Sequence, residues 1–163
     1  MRLRSDFSPL GSTSSPRPLQ RALVVFEDRH DLVTLRLLRP GFRHCFCILG
    51  CTSTWTICDP LKTRLEITPV FGPTEGELAA HFHEHGHTVL LGNVSADRSP
   101  RPHQLRALTC VEVVKRILNI DAPGALTPFQ LHRTLLGLRS PVVPFVAYTP
   151  GTSQSKFIDS AHE

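Results

Sequence analysis

FRHCFCIL, residues 42–49, is the first strong structural signal in this sequence. Its aromatic and apolar content predicts a β-strand, because such side chains pack well on a pleated, half-buried surface. Successive side chains of a strand point to opposite faces. The residues expected to share one face are Phe42, His44, Phe46 and Ile48. The sequence therefore predicts a strand that carries a single histidine on an apolar face.

The segments on either side of this strand predict an antiparallel meander. The run ALVVFE at residues 22–27 is typical of a buried strand. After a turn over residues 50–54, another strand is expected over residues 55–59. The alternating run that continues the meander holds Thr63, Leu65 and Ile67. Residues 31–38 stay ambiguous, since they fit a helix capped by Asp31 as well as an alternating strand.

The second half of the chain predicts helices that alternate with strands. TEGELAAHFHEH, residues 74–85, predicts a helix, because its acidic first turn suits the positive end of the helix dipole and Gly86 can end it. Another helix is expected from Thr127 to Gly137, with Pro128 at its first position. The other expected elements are a strand over residues 88–91, a polar loop over residues 93–104 and a strand over residues 142–148.

TCVE, residues 109–112, has the Ser/Thr-x-x-Glu form of a capping box. It predicts a helix from Cys110 to about Leu118, with Thr109 as its N-cap. Asn119 can take the left-handed conformation where the helix ends. The side chains expected to be buried are Val113, Val114, Ile117 and Leu118, and those expected to face water are Lys115 and Arg116.

The composition predicts one soluble globular domain. At 163 residues, with 40% hydrophobic and 20% charged residues, the chain has room for a single core. No apolar run approaches the ~20 residues of a membrane-spanning helix. A net charge of +4, without basic residues interleaved with aromatic ones, argues against nucleic-acid binding. The expected boundaries are a flexible arm over residues 1–20, a domain over residues 21–149 and a flexible tail over residues 150–163.

Cysteine usage indicates a reducing compartment such as the cytoplasm. Five cysteines are an odd number, and no apolar secretory segment precedes them, so a disulfide framework is not expected. Cys45, Cys47 and Cys51 lack the paired spacings of a zinc ribbon and are interpreted as small apolar strand residues. The Arg- and Ser-rich segment 1–19 also admits an interpretation as an organelle transit peptide, although its prolines spoil an amphipathic helix.

His44 and Cys110 together predict a nucleophilic site. A thiol is a good nucleophile only as a thiolate, and the unpaired N–H groups of a helix's first turn lower its pKa. A histidine on a rigid strand can accept the thiol proton and later protonate a leaving group. Asp59 is the candidate for the polar residue that fixes the ring. Direct opposition of His44 and Asp59 requires a hairpin centred on residues 51–52, and a shift of one residue turns Asp59 to the other face.

The segments GFRHCF (residues 41–46), WTICDP (residues 55–60) and TCVEVVKRIL (residues 109–118) resemble those of permuted NlpC-type papain-like proteins, a family related to the lecithin:retinol acyltransferase group. In that permuted order the histidine strand precedes the cysteine helix. The resemblance covers about residues 22–120. More narrowly, the chain resembles small proteins encoded by proteobacterial phages and prophages. It implies an α+β fold, in which an antiparallel sheet packs against the cysteine-bearing helix.

The resemblance also implies a function. Cys110 would be the nucleophile, His44 the base and Asp59 the orienting residue, acting on a peptide, amide or ester by hydrolysis or acyl transfer. The location would be cytoplasmic, or the virion if the chain is phage-encoded, and no cofactor or metal is expected. The sequence departs from the family pattern at Arg43 and Cys45, which flank His44, and at Leu108-Thr109, which replaces a glycine-rich approach to the cysteine.

Two other functions compete with this hypothesis. HFHEH, residues 81–85, matches the His-x-x-Glu-His pattern of inverted zinc peptidases, in which His81 and His85 would lie one helical turn apart. A solvated histidine-rich helix end, extending to His87, is the structural alternative. The chain is also compatible with a non-catalytic component of a phage tail or particle, with its flexible arms contacting other phage structural proteins, because fold does not fix function.

Overall fold

The chain folds into a six-stranded antiparallel sheet with three helices. The computed structural model describes residues 20–29, 36–51, 53–94, 108–137 and 145–151. Almost all of the predicted arm and tail, most of the loop 93–104 and the start of the ambiguous segment 31–38 lie outside these residues. The order of the strands across the sheet is β4-β3-β2-β1-β5-β6. The α+β class predicted from the sequence is therefore confirmed.

The strands are β1 (Gln20–Glu27), β2 (His44–Cys51), β3 (Thr54–Pro60), β4 (Leu65–Phe71), β5 (Thr88–Val94) and β6 (Val146–Ala147). The helices are α1 (Glu75–Glu84), α2 (Cys110–Ile117) and α3 (Pro128–Gly137). Each described element was predicted, with bounds that differ by a few residues. The last predicted strand is shorter than expected, and its residues 142–144 lie outside the described part of the chain. No helix in the described part is long and apolar enough to cross a membrane.

The sheet carries a hydrophobic cluster on each face. Strand β1 lies at its centre, and residues 22–26 are fully buried, which explains their unbroken apolar run. One face packs against α2 and α3, through residues that include Val24, Cys45 and Val114. The other face packs against α1, through residues that include Val25 and Phe46. The mixed helix and strand pattern of the sequence thus produces helices on both sides of one sheet.

The hairpin between β2 and β3 is tight. The last paired residues are Cys51 and Thr54, so only residues 52 and 53 connect the strands. Gly50 pairs with Trp55, and a Cβ at position 50 would come within 2.7 Å of Cε3 of the Trp55 ring. The Trp55 indole N–H donates to the Pro73 carbonyl at 2.9 Å. Gly50 therefore makes room for the indole in the sheet.

Helix α2 begins at Cys110 as predicted, and Val114 and Leu118 are buried as predicted, whereas Val113 and Ile117 are only partly buried. Thr109 is its N-cap, and its side chain accepts a hydrogen bond from the Glu112 N–H at 3.2 Å. The residues that are buried are Val111, Val114, Lys115 and Leu118, which follow one another at helical spacing. The prediction that Lys115 faces water is therefore wrong. Asn119 takes the predicted left-handed conformation, with φ 54°.

Lys115 is buried because the chain after α2 folds back over it. Its ammonium donates to the carbonyls of Ala122 and Ala125, both at 3.2 Å, and lies 2.9 Å from the Glu112 carboxylate. The Glu112 carboxylate also accepts from Arg116 at 3.0 Å. Backbone carbonyls seven and ten residues further along the chain thus satisfy a charge that would otherwise be costly to bury.

Phe42 does not share a face with Phe46, contrary to the prediction. Strand β2 begins only at His44, and the Phe42 N–H donates to the Arg39 carbonyl in the preceding turn. The Phe42 ring packs against Phe129, with ring centroids 5.2 Å apart, on the face that holds α3. Alternation of side chains applies only within the strand, so it does not extend to residue 42.

Candidate active site

Cys110 opens helix α2, and its sulfur lies against the start of β2. The Cys110 side chain is half-buried and packs against the cluster between the sheet and α2. Its sulfur interacts with the His44 ring and with both the thiol and the backbone of Cys45. The first residues of β2 and the first residue of α2 therefore meet at one point, which is the placement that the sequence predicted for His44 and Cys110.

His44 is held in place by Asp59. The ring Nε2 lies 2.7 Å from Asp59 Oδ1, and the two side chains are 7% and 24% exposed. The His44 ring is stacked with the Phe46 ring, and their centroids are 6.5 Å apart. Since Asp59 engages Nε2, Nδ1 is the ring nitrogen that remains for another partner. All three residues predicted for the site are thus brought together.

The hairpin register differs from the one in which His44 and Asp59 are opposite. Cys47 pairs with Cys58, and the regular pairing of the two strands stops there. The hairpin is centred on residues 52–53, so Asp59 is displaced along β3 by two positions from direct opposition to His44. A displacement of two residues preserves the face, because side chains alternate with a period of two. Diagonal neighbours are within reach of each other's side chains, and the hydrogen bond forms.

The environment of His44 favours the imidazolium. Burial by itself lowers the pKa of His44, because it penalises the charged ring. The hydrogen bonds to Asp59 and Cys110 and the negative charges on both outweigh this penalty. The pKa of His44 is raised to about 9. His44 therefore carries a positive charge near neutral pH.

The environment of Cys110 favours the thiolate. The hydrogen bond from the Cys45 thiol is the largest cause that lowers the pKa of Cys110, and burial opposes it. The hydrogen bond and positive charge of His44 and the backbone N–H of Cys45 lower the pKa further, to about 5. Cys110 and His44 therefore form a thiolate–imidazolium pair at pH values between about 5 and about 9.

The first turn of α2 supplies further hydrogen-bond donors beside the sulfur. By their position, the N–H groups of Cys110 and Val111 have no acceptor within the helix, whereas the N–H of Glu112 is taken by the Thr109 cap. Donors placed beside a nucleophile can stabilise the negative oxygen that forms when a carbonyl is attacked. The arrangement thus brings together the groups that nucleophilic catalysis requires, which are a thiolate, a histidine, a carboxylate and backbone donors.

Cys45 is the site residue that sequence reasoning missed. It was interpreted as a small apolar residue, and its side chain is indeed fully buried. Alternation along β2 points Cys45 and His44 to opposite faces. Only the packing of α2 against the start of β2 brings both to the sulfur of Cys110. The sequence shows the adjacency of residues 44 and 45 but no signal that links Cys45 to Cys110.

The histidine cluster of α1 offers too few ligands for a metal site. Within the described part of the chain, no group of three or more His, Cys, Asp or Glu side chains is placed to hold a metal ion. The rings of His81 and His85 lie 4.4 Å apart, and His85 Nδ1 donates to the His81 carbonyl at 2.6 Å. The zinc-peptidase alternative therefore finds no ligand set among these residues.

Comparison with protein-family models, curated proteins and solved structures found no match for this chain. The resemblance to permuted NlpC-type proteins thus remains a prediction from short motifs. The function has to be inferred from the chemistry of Cys110, His44 and Asp59.

Proposed function

We propose that the chain is a cysteine hydrolase or acyltransferase, acting on an amide, peptide or ester bond, in which Cys110 is the nucleophile. The observation that carries the proposal is the contact of the Cys110 sulfur with a histidine that Asp59 holds at 2.7 Å. Nucleophilic acyl transfer is performed in unrelated folds by a thiol that contacts an imidazole, which in turn contacts a carboxylate.

In the first half-reaction the thiolate of Cys110 attacks the carbonyl carbon of the substrate. The negative charge moves to the carbonyl oxygen, where the N–H groups at the start of α2 can stabilise it. The imidazolium of His44 then protonates the leaving amine or alcohol as the carbon–heteroatom bond breaks. The acyl group is left on Cys110 as a thioester, and His44 becomes neutral.

In the second half-reaction His44 acts as a base. It takes a proton from water, or from an acceptor alcohol or amine, which attacks the thioester. The carbon–sulfur bond breaks and Cys110 leaves as a thiolate beside the re-formed imidazolium. Asp59 keeps the ring oriented throughout and stabilises its positive charge.

The order of the elements supports a permuted papain-like fold as part of the same proposal. His44 and Asp59 lie on β2 and β3, and Cys110 follows them on α2. This is the order of the permuted family that the sequence motifs resemble. By the same resemblance, the enzyme would be phage-encoded and located in the cytoplasm or the virion. Its role would be related to the cell wall or to assembly.

Thiol labelling tests the proposal without knowledge of the substrate. Iodoacetamide at neutral pH should label Cys110 about tenfold or more faster than the other four cysteines, as peptide mass mapping would resolve. His44→Ala should slow the labelling of Cys110, whereas the exposed His85 provides a matched control, His85→Ala, that should not. A p-nitrophenyl ester can then report acyl transfer, which Cys110→Ala should abolish. Equally slow labelling of all five thiols would refute the proposal.

A non-catalytic role in assembly is the second candidate, and one observation favours it. Strand β4 lies at the edge of the sheet, and its apolar residues Ile67 and Phe71 are 60% and 72% exposed. Exposed apolar side chains on an edge strand are typical of surfaces that contact other chains. Slow labelling of Cys110, together with self-association that Phe71→Ser weakens, would support this function over the hydrolase.

A further inference from the structure

The active-site cysteine has a second cysteine beside it. Cys45 and Cys110 pack in the same cluster, where the start of β2 meets the start of α2, and their side chains interact. Neither is engaged in a disulfide. Cys45 is the second residue of β2 and Cys110 the first residue of α2, so both lie at the ends of their elements. The hydrolytic reaction proposed above needs only one of these thiols.

The two thiols differ in their access to solvent and in their charge. Cys110 is half-buried, whereas Cys45 is completely buried. Burial, followed by the interaction with Cys110, raises the pKa of Cys45, so Cys45 stays protonated while Cys110 is a thiolate. A reactive, accessible thiolate next to a protonated buried thiol is the arrangement found where one cysteine is oxidised first and the other resolves it.

We propose that a hydroperoxide converts Cys110 and Cys45 into a reversible disulfide, and that this disulfide switches the site off. The formation of the disulfide depends only on the two thiols and His44. Its effect on catalysis rests on the function proposed above.

The reaction balances with the groups present and one hydroperoxide. The Cys110 thiolate attacks the terminal oxygen, the O–O bond breaks, and the departing alkoxide or hydroxide takes the proton of the His44 imidazolium. Cys110 is now a sulfenic acid. The Cys45 sulfur attacks the Cys110 sulfur, and the hydroxyl group leaves as water with the Cys45 proton. Two thiols are oxidised, and one hydroperoxide is reduced to an alcohol or water and a second water.

The nearby thiols of Cys47 and Cys58 allow a test of whether the disulfide forms selectively between Cys45 and Cys110. They are paired across β2 and β3, both are buried, and they belong to the same cluster as Cys45. Among the groups that lower the pKa of Cys110, the Cys45 side chain has the largest effect. Cys47→Ser is therefore a matched control, because it removes a buried thiol of the same strand and the same face.

The experiment treats the full-length chain with hydrogen peroxide and maps its thiols by mass spectrometry. We expect a loss of about 2 Da, a Cys45–Cys110 cross-linked peptide, and a fall of about tenfold or more in iodoacetamide labelling of Cys110 that dithiothreitol reverses. Cys45→Ser keeps a hydrogen-bond donor but cannot form the disulfide, so peroxide should carry Cys110 to a sulfinic acid that dithiothreitol does not restore. Cys47→Ser should behave as the unsubstituted chain does.

The outcomes separate this inference from the proposed function. Direct sulfinic acid formation in the unsubstituted chain, or a disulfide of Cys110 with another cysteine, overturns the inference while leaving the hydrolase intact. A Cys45–Cys110 disulfide in a chain that transfers no acyl group supports the redox site and refutes the proposed hydrolase function. The peptide map of the unsubstituted chain decides the point even if Cys45→Ser does not fold.

Discussion

His44 Nε2 lies 2.7 Å from Asp59 Oδ1, although the β2–β3 register displaces Asp59 by two positions from direct opposition to His44. The two side chains still share a face because the displacement is an even number of residues. The carboxylate reaches diagonally to the ring, and Arg29 approaches its other oxygen at 3.7 Å. The orientation of the proposed base thus depends on the exact pairing of one hairpin.

Removal of the Asp59 charge should weaken the thiolate–imidazolium pair. In Asp59→Asn the imidazolium loses its partner charge, so the pKa of His44 should fall and that of Cys110 should rise, each by about one unit. The pH dependence of iodoacetamide labelling measures the change at Cys110. Glu66 pairs with Asp59 across β3 and β4 and is exposed, so Glu66→Gln is the control. An unchanged profile in Asp59→Asn would show that the carboxylate does not act on the pair.

Acyl transfer should follow a bell-shaped pH profile. Activity rises as pH increases through about 5, where Cys110 loses its proton, and falls through about 9, where the His44 imidazolium loses its proton and can no longer act as an acid. These values belong to the coupled pair rather than to either residue alone. Ester hydrolysis between pH 4 and 10, corrected for spontaneous hydrolysis, measures both limbs. A single rise near the ordinary pKa of a thiol would contradict the ion pair.

Gly50→Ala should destabilise the hairpin that carries Asp59. The added Cβ would meet the Trp55 ring and the Thr54 carbonyl, so the free energy of unfolding should fall by about 1–3 kcal/mol. Urea unfolding followed by tryptophan fluorescence reports on this hairpin, because Trp55 is the single tryptophan of the chain. Gly76 in α1 has no atom within 4 Å of an added Cβ. Gly76→Ala is therefore the control and should raise stability by up to ~1 kcal/mol.

Lys115→Met should destabilise the segment that follows α2. The substitution removes the Lys115 donor from the Ala125 carbonyl, one of two donors from the Ala122 carbonyl, which also accepts from the Ala125 N–H, and one partner from Glu112. A buried acceptor left unsatisfied costs ~1–3 kcal/mol, and the loss of the ion pair with Glu112 adds to this cost, so we expect a total loss of roughly 2–4 kcal/mol. Lys62 is exposed, and Lys62→Met should change stability by less than ~0.5 kcal/mol. Equal unfolding midpoints for both variants would show that Lys115 is not a structural residue.

The sequence by itself determined the elements and two of the candidate site residues. Strand β2 follows from its aromatic and apolar residues, and α2 from the Thr109 cap, because both signals act over a few neighbouring residues. His44 was recognised by its place on an apolar strand, and Cys110 by its place at a helix start.

The tertiary structure decided which residues meet. The hairpin register that brings Asp59 to His44, the burial of Lys115 under residues 122–125 and the contact of Cys45 with Cys110 all join residues that lie seven or more positions apart in the sequence. Local propensity is insensitive to such contacts, because they arise from the packing of α2 on the sheet and from the pairing of strands. The sequence thus predicts the candidate pair, whereas the fold brings the groups that act on its charge state into contact with it.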